Sequence, residues 1–321
     1  MFRASRILLT NHSRFLAGCT FALGGLWIVL LASRPMERMS TAVVVWWTAL
    51  CAVSAVNICG WRVSLSALWK RWGSVDPAVY VFQRRQLVLS AVYVLGCCFR
   101  AVLPRADVQR IGLYDSWVSS VLLGRSVATV AEICFVIQWA LLLDMVARTT
   151  ASRLGLVISR VLVPLIVVAE CCSWYGVLTT SYIGNAVEES IWALSVVLLM
   201  IACGAMWRRC PQAWKPFLAA ALVMGTGYVA FMCMVDIPMY VSRWLADEAH
   251  GRQYLSLGQG LWDVASRWTV THDWDAWQME APWMSLYFSV AVWCSIALAH
   301  APWPAGGKEY LDASALSVDA G

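Results

Sequence analysis

Runs of uncharged apolar residues, each long enough to cross a bilayer, recur along this chain and restrict its fold more than any other feature. Phe15 to Ser33 and Thr41 to Trp61 contain no charge at all. At about 1.5 Å of rise per residue, about 20 apolar residues cover the ~30 Å hydrocarbon core. The chain therefore reads as all-α, a polytopic integral membrane helical bundle in contact with the lipid bilayer. With 60 % hydrophobic and only 13 % charged residues, it has too little charge to coat a soluble domain.

Eight spans are expected: Phe15 to Ser33, Thr41 to Trp61, Gln86 to Leu103, Trp117 to Leu143, Leu154 to Leu178, Ile191 to Trp207, Pro216 to Val241 and Trp283 to Ala301. Residues 1–14 then form an N-terminal segment, 15–303 a single transmembrane domain, and 304–321 a small, polar, disordered tail. An even number of spans leaves both termini on one side. That side carries the larger basic load, including Arg3, Arg6, Arg14, Arg62, Lys70, Arg71, Arg84 and Arg85, so the positive-inside bias puts both termini in the cytoplasm. The expected location is the plasma (inner) membrane. The acid-free first 14 residues, with Arg and Ser, also suit a mitochondrial presequence.

Tryptophans flank the spans at Trp61, Trp69, Trp72, Trp117, Trp207 and Trp283, as an interfacial belt requires. The outer loop 242–282 adds Trp244, Trp262, Trp268, Trp274 and Trp277, and its stretch Leu257 to Val270 suits a short amphipathic helix on the interface. A lid anchored by tryptophans and a ligand-stacking surface are the two roles open to it; in a scaffold it would instead contact another membrane protein.

The functional candidates are the ionisable residues inside apolar runs. A charge at mid-bilayer costs at least about 2.5–3.5 kcal/mol on insertion scales, so it needs a partner or a wet cavity. Arg125 and Glu132 lie in the fourth span, Glu170 in the fifth and Asp236 in the seventh, with Glu188 and Glu189 at the entrance to the sixth. Counted from the span centres, Arg125 and Glu170 fall at similar heights, roughly 7.5 Å above the midplane, on helices of opposite direction. They are expected to pair. Glu132 follows Arg125 by two helical turns on one face and is the deepest carboxylate, hence the candidate proton carrier. Together the six residues suggest a polar vestibule opening outward. The polar stretch Glu170 to Tyr175 and Thr179 to Asn185 either lines its mouth or is an ordinary outer loop.

Other chemistry is argued against. The histidines, His12, His250, His272 and His300, lie in loops or at a span end, which disfavours haem. The chain has no H-E-x-x-H, G-x-S-x-G or P-loop motif, and no lysine within a span. Most of the twelve cysteines sit in apolar runs, where free cysteine packs as a small hydrophobe. No metal or cofactor is expected, and no basic tract suits nucleic acid. The leading expectation is a membrane protein that binds or conducts a small polar solute, ion or proton. Two alternatives stay open: an embedded enzyme acting on a lipid or lipid-linked substrate, with Glu170 or Asp236 as general acid or base, and a membrane scaffold or assembly partner.

Overall fold

A computed structural model describes residues 39–302. The first expected span, Phe15 to Ser33, and the tail 304–321 lie outside the described residues. Within them, seven helices are long and apolar enough to cross a membrane: α1 (Thr41–Lys70), α2 (Pro77–Val102), α3 (Val121–Thr149), α4 (Arg153–Thr179), α5 (Tyr182–Met206), α6 (Gln212–Ala249) and, after a short helix α7 (Leu257–Ser266), α8 (Ala281–Leu298). They correspond to the second through eighth expected spans. The protein is an all-α, multi-pass helical bundle.

Short polar side chains start several of these helices. Ser40, Ser120 and Ser152 accept from the backbone N–H three residues on, at 3.2–3.4 Å. Asp76 accepts from Ala78 N at 2.9 Å, and Pro77 fills the first helical position, where its missing N–H costs nothing. The helices run past the expected apolar limits. α1 continues beyond Trp61 to Lys70, and α2 begins at Pro77 rather than Gln86, because basic and polar residues extend a helix beyond the hydrocarbon without breaking it. α5 starts at Tyr182, so Glu188 and Glu189 sit inside a helix rather than at its entrance. Only Thr180, with φ +62°, and Ser181 separate it from α4.

Interfaces between helices rely on small residues and buried hydrogen bonds, as expected where lipid supplies no hydrophobic drive between helices. Gly96 of α2 faces Ala131 of α3, and Gly184 of α5 lies against the backbone of Gly176 in α4. Gln138 of α3 donates to the carbonyls of Gln86 and Ser295, and its own side-chain oxygen accepts from Ser295 Oγ at 2.6 Å. Asn57 of α1 donates to Phe288 O and accepts from Trp293 Nε1, both at 2.8 Å, tying α1 to α8. Several tryptophans serve the interior instead of a belt. Trp61 is buried and donates to Leu87 O at 2.9 Å, while Trp47 donates to Val102 O at 3.1 Å.

At the end where α2, α4 and α6 finish, residues 103–120 and 250–280 form a structured cap. Strand β1 (Arg105–Ala106) pairs antiparallel with β2 (Ile111–Gly112), which pairs in parallel with β3 (Thr269–Val270). That pairing ends α7 at Ser266, short of the expected Val270. Arg110 holds the cap together from a left-handed backbone (φ +56°): it bonds Asp263 at 2.6 Å, Val177 O at 2.7 Å and Asp107 O. Burial pushes the Asp263 carboxyl up, but the guanidiniums of Arg267 and Arg110 outweigh it and hold the group below the usual carboxylate range. α7 rests on α4 through Gly260, where an added Cβ would lie 2.2 Å from Leu178 O. Gly260→Ala is therefore expected to lift α7 off the bundle, read as faster proteolysis between Arg252 and Arg267 while the rest of the chain stays intact.

α6 is the most peripheral span. It packs on α5, whereas α8 packs on α1 and α2, and a cavity runs between α6 and α8.

Candidate functional site

Four ionisable side chains from three helices meet near the cap end of the bundle. Arg125 Nη2 donates to Glu170 Oε2 at 2.6 Å, to Glu188 Oε1 at 3.0 Å and to Glu132 Oε2 at 3.3 Å. All four residues are buried. The helices set this geometry. Arg125 and Glu132 share a face of α3, while the two-residue turn between α4 and α5 makes those helices antiparallel neighbours and brings Glu170 beside Glu188. The expected pairing of Arg125 with both Glu132 and Glu170 is present, and Glu188 joins it.

Neutral donors satisfy the remaining carboxylate oxygens in part. Thr129 Oγ1 donates to Glu170 Oε2 at 2.6 Å and itself accepts from Trp174 Nε1. Tyr287 of α8 donates to Glu132 Oε1 at 2.7 Å, and Asn185 Nδ2 to Glu188 Oε2 at 3.1 Å. Glu170 Oε1, Arg125 Nε and Asn185 Oδ1 are buried with no hydrogen-bond partner among the described residues. One oxygen from each of Glu132, Glu170 and Glu188 lies within 4.8 Å of the others, close enough to share a cation, and Arg125 Nη2 is that cation here.

The cluster opens onto a cavity of about 590 Å³ bounded chiefly by α2, α3, α5, α6 and α8. Residues 106–109 of the cap form its outer wall. Beside them, Glu280 at the start of α8 accepts from Gln109 at 2.8 Å, from Arg243 of α6 at 2.9 Å and from Trp283 at 2.6 Å, bridging α6 to α8. Arg100 and Asp107, 3.6 Å apart, also face the cavity. Asp236 and Glu189 line it as well, yet neither forms an ion pair or hydrogen bond with the described residues. Asp236 is only 4 % exposed. It occupies a π-helical turn, Met232–Asp236, and a second such turn, Tyr287–Ala291, lines the same cavity from α8. Turns of this kind break the regular ladder and recur at functional positions.

Thus five of the six residues singled out from sequence, Arg125, Glu132, Glu188, Glu189 and Asp236, border one cavity, and Glu170 lies behind them on Arg125; only Arg125, Glu132, Glu170 and Glu188 touch. Tyr287, Glu280 and Asp107 were not singled out, whereas Asn185 belongs to the polar stretch that the sequence offered for the mouth. Glu280, close to the apolar start of the last span, carried a readable signal; Tyr287 looks like any interfacial aromatic until the fold puts it opposite Glu132. Among known families, characterised proteins and solved structures, none matches this chain.

Proposed function

We propose that this membrane protein binds a cation or protonated solute in the acidic chamber at the cap end of its cavity, as the binding step of solute, ion or proton movement. One observation carries the reading: the carboxylates bordering the chamber outnumber the guanidiniums. Arg125 serves three of them, Arg100 and Arg105 face Asp107 and Arg243 faces Glu280, which leaves Asp236 and Glu189 without an ion pair among the described residues. A buried carboxylate without a partner is costly, so a site of this composition favours positive charge or protons. Glu132, Glu170 and Glu188 hold the fixed charge in register with Arg125 as their counter-ion. Asp236 and Glu189 are the groups left to meet the ligand.

The reading fits the expected orientation, in which the basic end carrying Lys70, Arg84, Arg85, Arg148 and Arg153 faces the cytoplasm and the chamber sits in the outer half of the membrane. Proteoliposomes with imposed gradients of protons, sodium or potassium, and purified protein titrated with methylammonium, test it. Wild-type protein is expected to move or bind at least one of these cations, and Asp236→Asn to reduce that by about tenfold while gel filtration and helical content stay normal. If no cation binds or moves, or if Asp236→Asn and Glu132→Gln both behave as wild type, the reading fails.

A further inference from the structure

The cavity does not end at the acidic chamber. It continues along the bundle to Phe217, close to the start of α6, and to Leu298, the last residue of α8. Its lining changes character on the way. Toward the cap lie Asp107, Glu188, Glu189, Asp236 and Glu280; toward the other end lie Trp139, Leu162, Leu199, Phe217, Ala297 and Leu298. A water-filled path for a bare ion needs polar groups along its length, and among the described residues this lower half offers no charge, only the Trp139 indole, the Cys294 thiol and the Ser195 hydroxyl, which already donates to Ile191 O.

The long side of the cavity is open. Met224 and Gly227 of α6 and Leu286 and Ala297 of α8 border it and are nonetheless exposed, Met224 by 43 % and Leu286 by 45 %. These positions lie within apolar spans, where the surrounding medium is lipid. Among the described residues, the gap between α6 and α8 is thus a lateral opening to the hydrocarbon, closed at the cap end by the Arg243–Glu280 bridge. Gly227 has no heavy atom within 4 Å of where a Cβ would stand, which keeps this edge wide.

From this juxtaposition we infer that the ligand is a cationic amphiphile, a molecule with a protonated amine head and a single alkyl chain, which enters from the membrane between α6 and α8. Its head sits at Asp236 and Glu189, and its chain lies in the apolar half of the cavity. Charge complementarity selects the head, since an anionic headgroup would meet five or more carboxylates and find Arg100 and Arg125 already engaged. The apolar lining and the lateral opening select the chain. The inference rests on the acidic-chamber reading and extends it to a class of ligand.

The test uses the full chain in lipid nanodiscs with a long-chain primary amine carrying a photoreactive diazirine in its tail, followed by mass spectrometry of the cross-linked peptides. Saturable labelling is expected in the α6 and α8 segments around Phe217–Tyr228 and Leu286–Leu298. Dodecylammonium should compete at a concentration at least ten times lower than dodecanol or dodecyl phosphate. Gly227→Trp should reduce labelling about tenfold without changing methylammonium binding. If labelling cannot be saturated, or dodecyl phosphate competes equally well, the inference is overturned. If methylammonium binds with Asp236 dependence while the alkylamine has no saturable site, the amphiphile falls and the acidic chamber stands. Absence of binding by both removes both readings.

Discussion

Arg125→Met is expected to yield little or no monodisperse protein after detergent extraction. The substitution keeps an unbranched, apolar stem of similar reach and removes the cation that three buried carboxylates share at 2.6–3.3 Å. Removing one partner of a single buried pair costs about 3–5 kcal/mol, because the charge left behind has neither water nor counter-ion. Here three carboxylates are stranded together, and that cost rivals a typical domain stability of about 5–15 kcal/mol. The rescue experiment identifies the cause. Replacing ion groups together by neutral ones is often tolerated, so Arg125→Met combined with Glu132→Gln and Glu188→Gln should recover much of the folded yield. Arg125→Lys should fall between, since all three contacts are made by the single nitrogen Nη2, a role that an ammonium with three donors can fill in part if it reaches. Wild-type yield and melting temperature in Arg125→Met alone would show that the cluster does not hold the helices together.

Which parts of this arrangement could be read from the residues follows from the range over which each signal acts. The spans were legible because twenty apolar residues without a charge admit one environment, and that signal is local. Depth was legible too: counting 1.5 Å per residue placed Arg125 and Glu170 level on adjacent antiparallel helices, and they meet at 2.6 Å. The entrance assigned to Glu188 and Glu189 was misplaced for a physical reason. In sequence, a charged pair reads as the end of an apolar run, whereas Glu188 is buried inside α5 because Arg125 compensates it. Partners set by tertiary structure were not legible. Nothing local distinguishes Tyr287, which reaches Glu132, from Tyr175, which is exposed, and nothing in loop 242–282 announces that Thr269 and Val270 will pair with Ile111 and Gly112. The gap between α6 and α8 among the described residues belongs to the same class, since it arises from their packing on different neighbours.

The contact that aligns α4 with α5 gives the second large effect, in Gly184→Ala. A Cβ added at Gly184 would stand 2.5 Å from Gly176 Cα and N and 2.6 Å from Cys172 O, all backbone atoms of α4 that cannot rotate aside. The two helices must separate. Overpacking of this kind costs about 1–3 kcal/mol where side chains can adjust, and the upper end is expected against backbone. The consequence reaches the site, because Glu188 lies one turn beyond Gly184 on the same face of α5, while Glu170 and Cys172 are carried by α4. Arg125 bridges the two carboxylates at 2.6 and 3.0 Å, and a shift of about 1 Å between their helices leaves one of those hydrogen bonds outside bonding range. Gly184→Ala is therefore expected both to lower the melting temperature and to weaken methylammonium binding, whereas Gly204→Ala provides the control. Gly204 lies in the same helix with nothing within 4 Å of its Cβ position, so alanine there should be neutral or stabilise by up to about 1 kcal/mol through helix propensity. Equal melting temperatures for the two variants would mean that the glycine contact does not set the spacing of α4 and α5, and that the carboxylates are held in register by Arg125 alone.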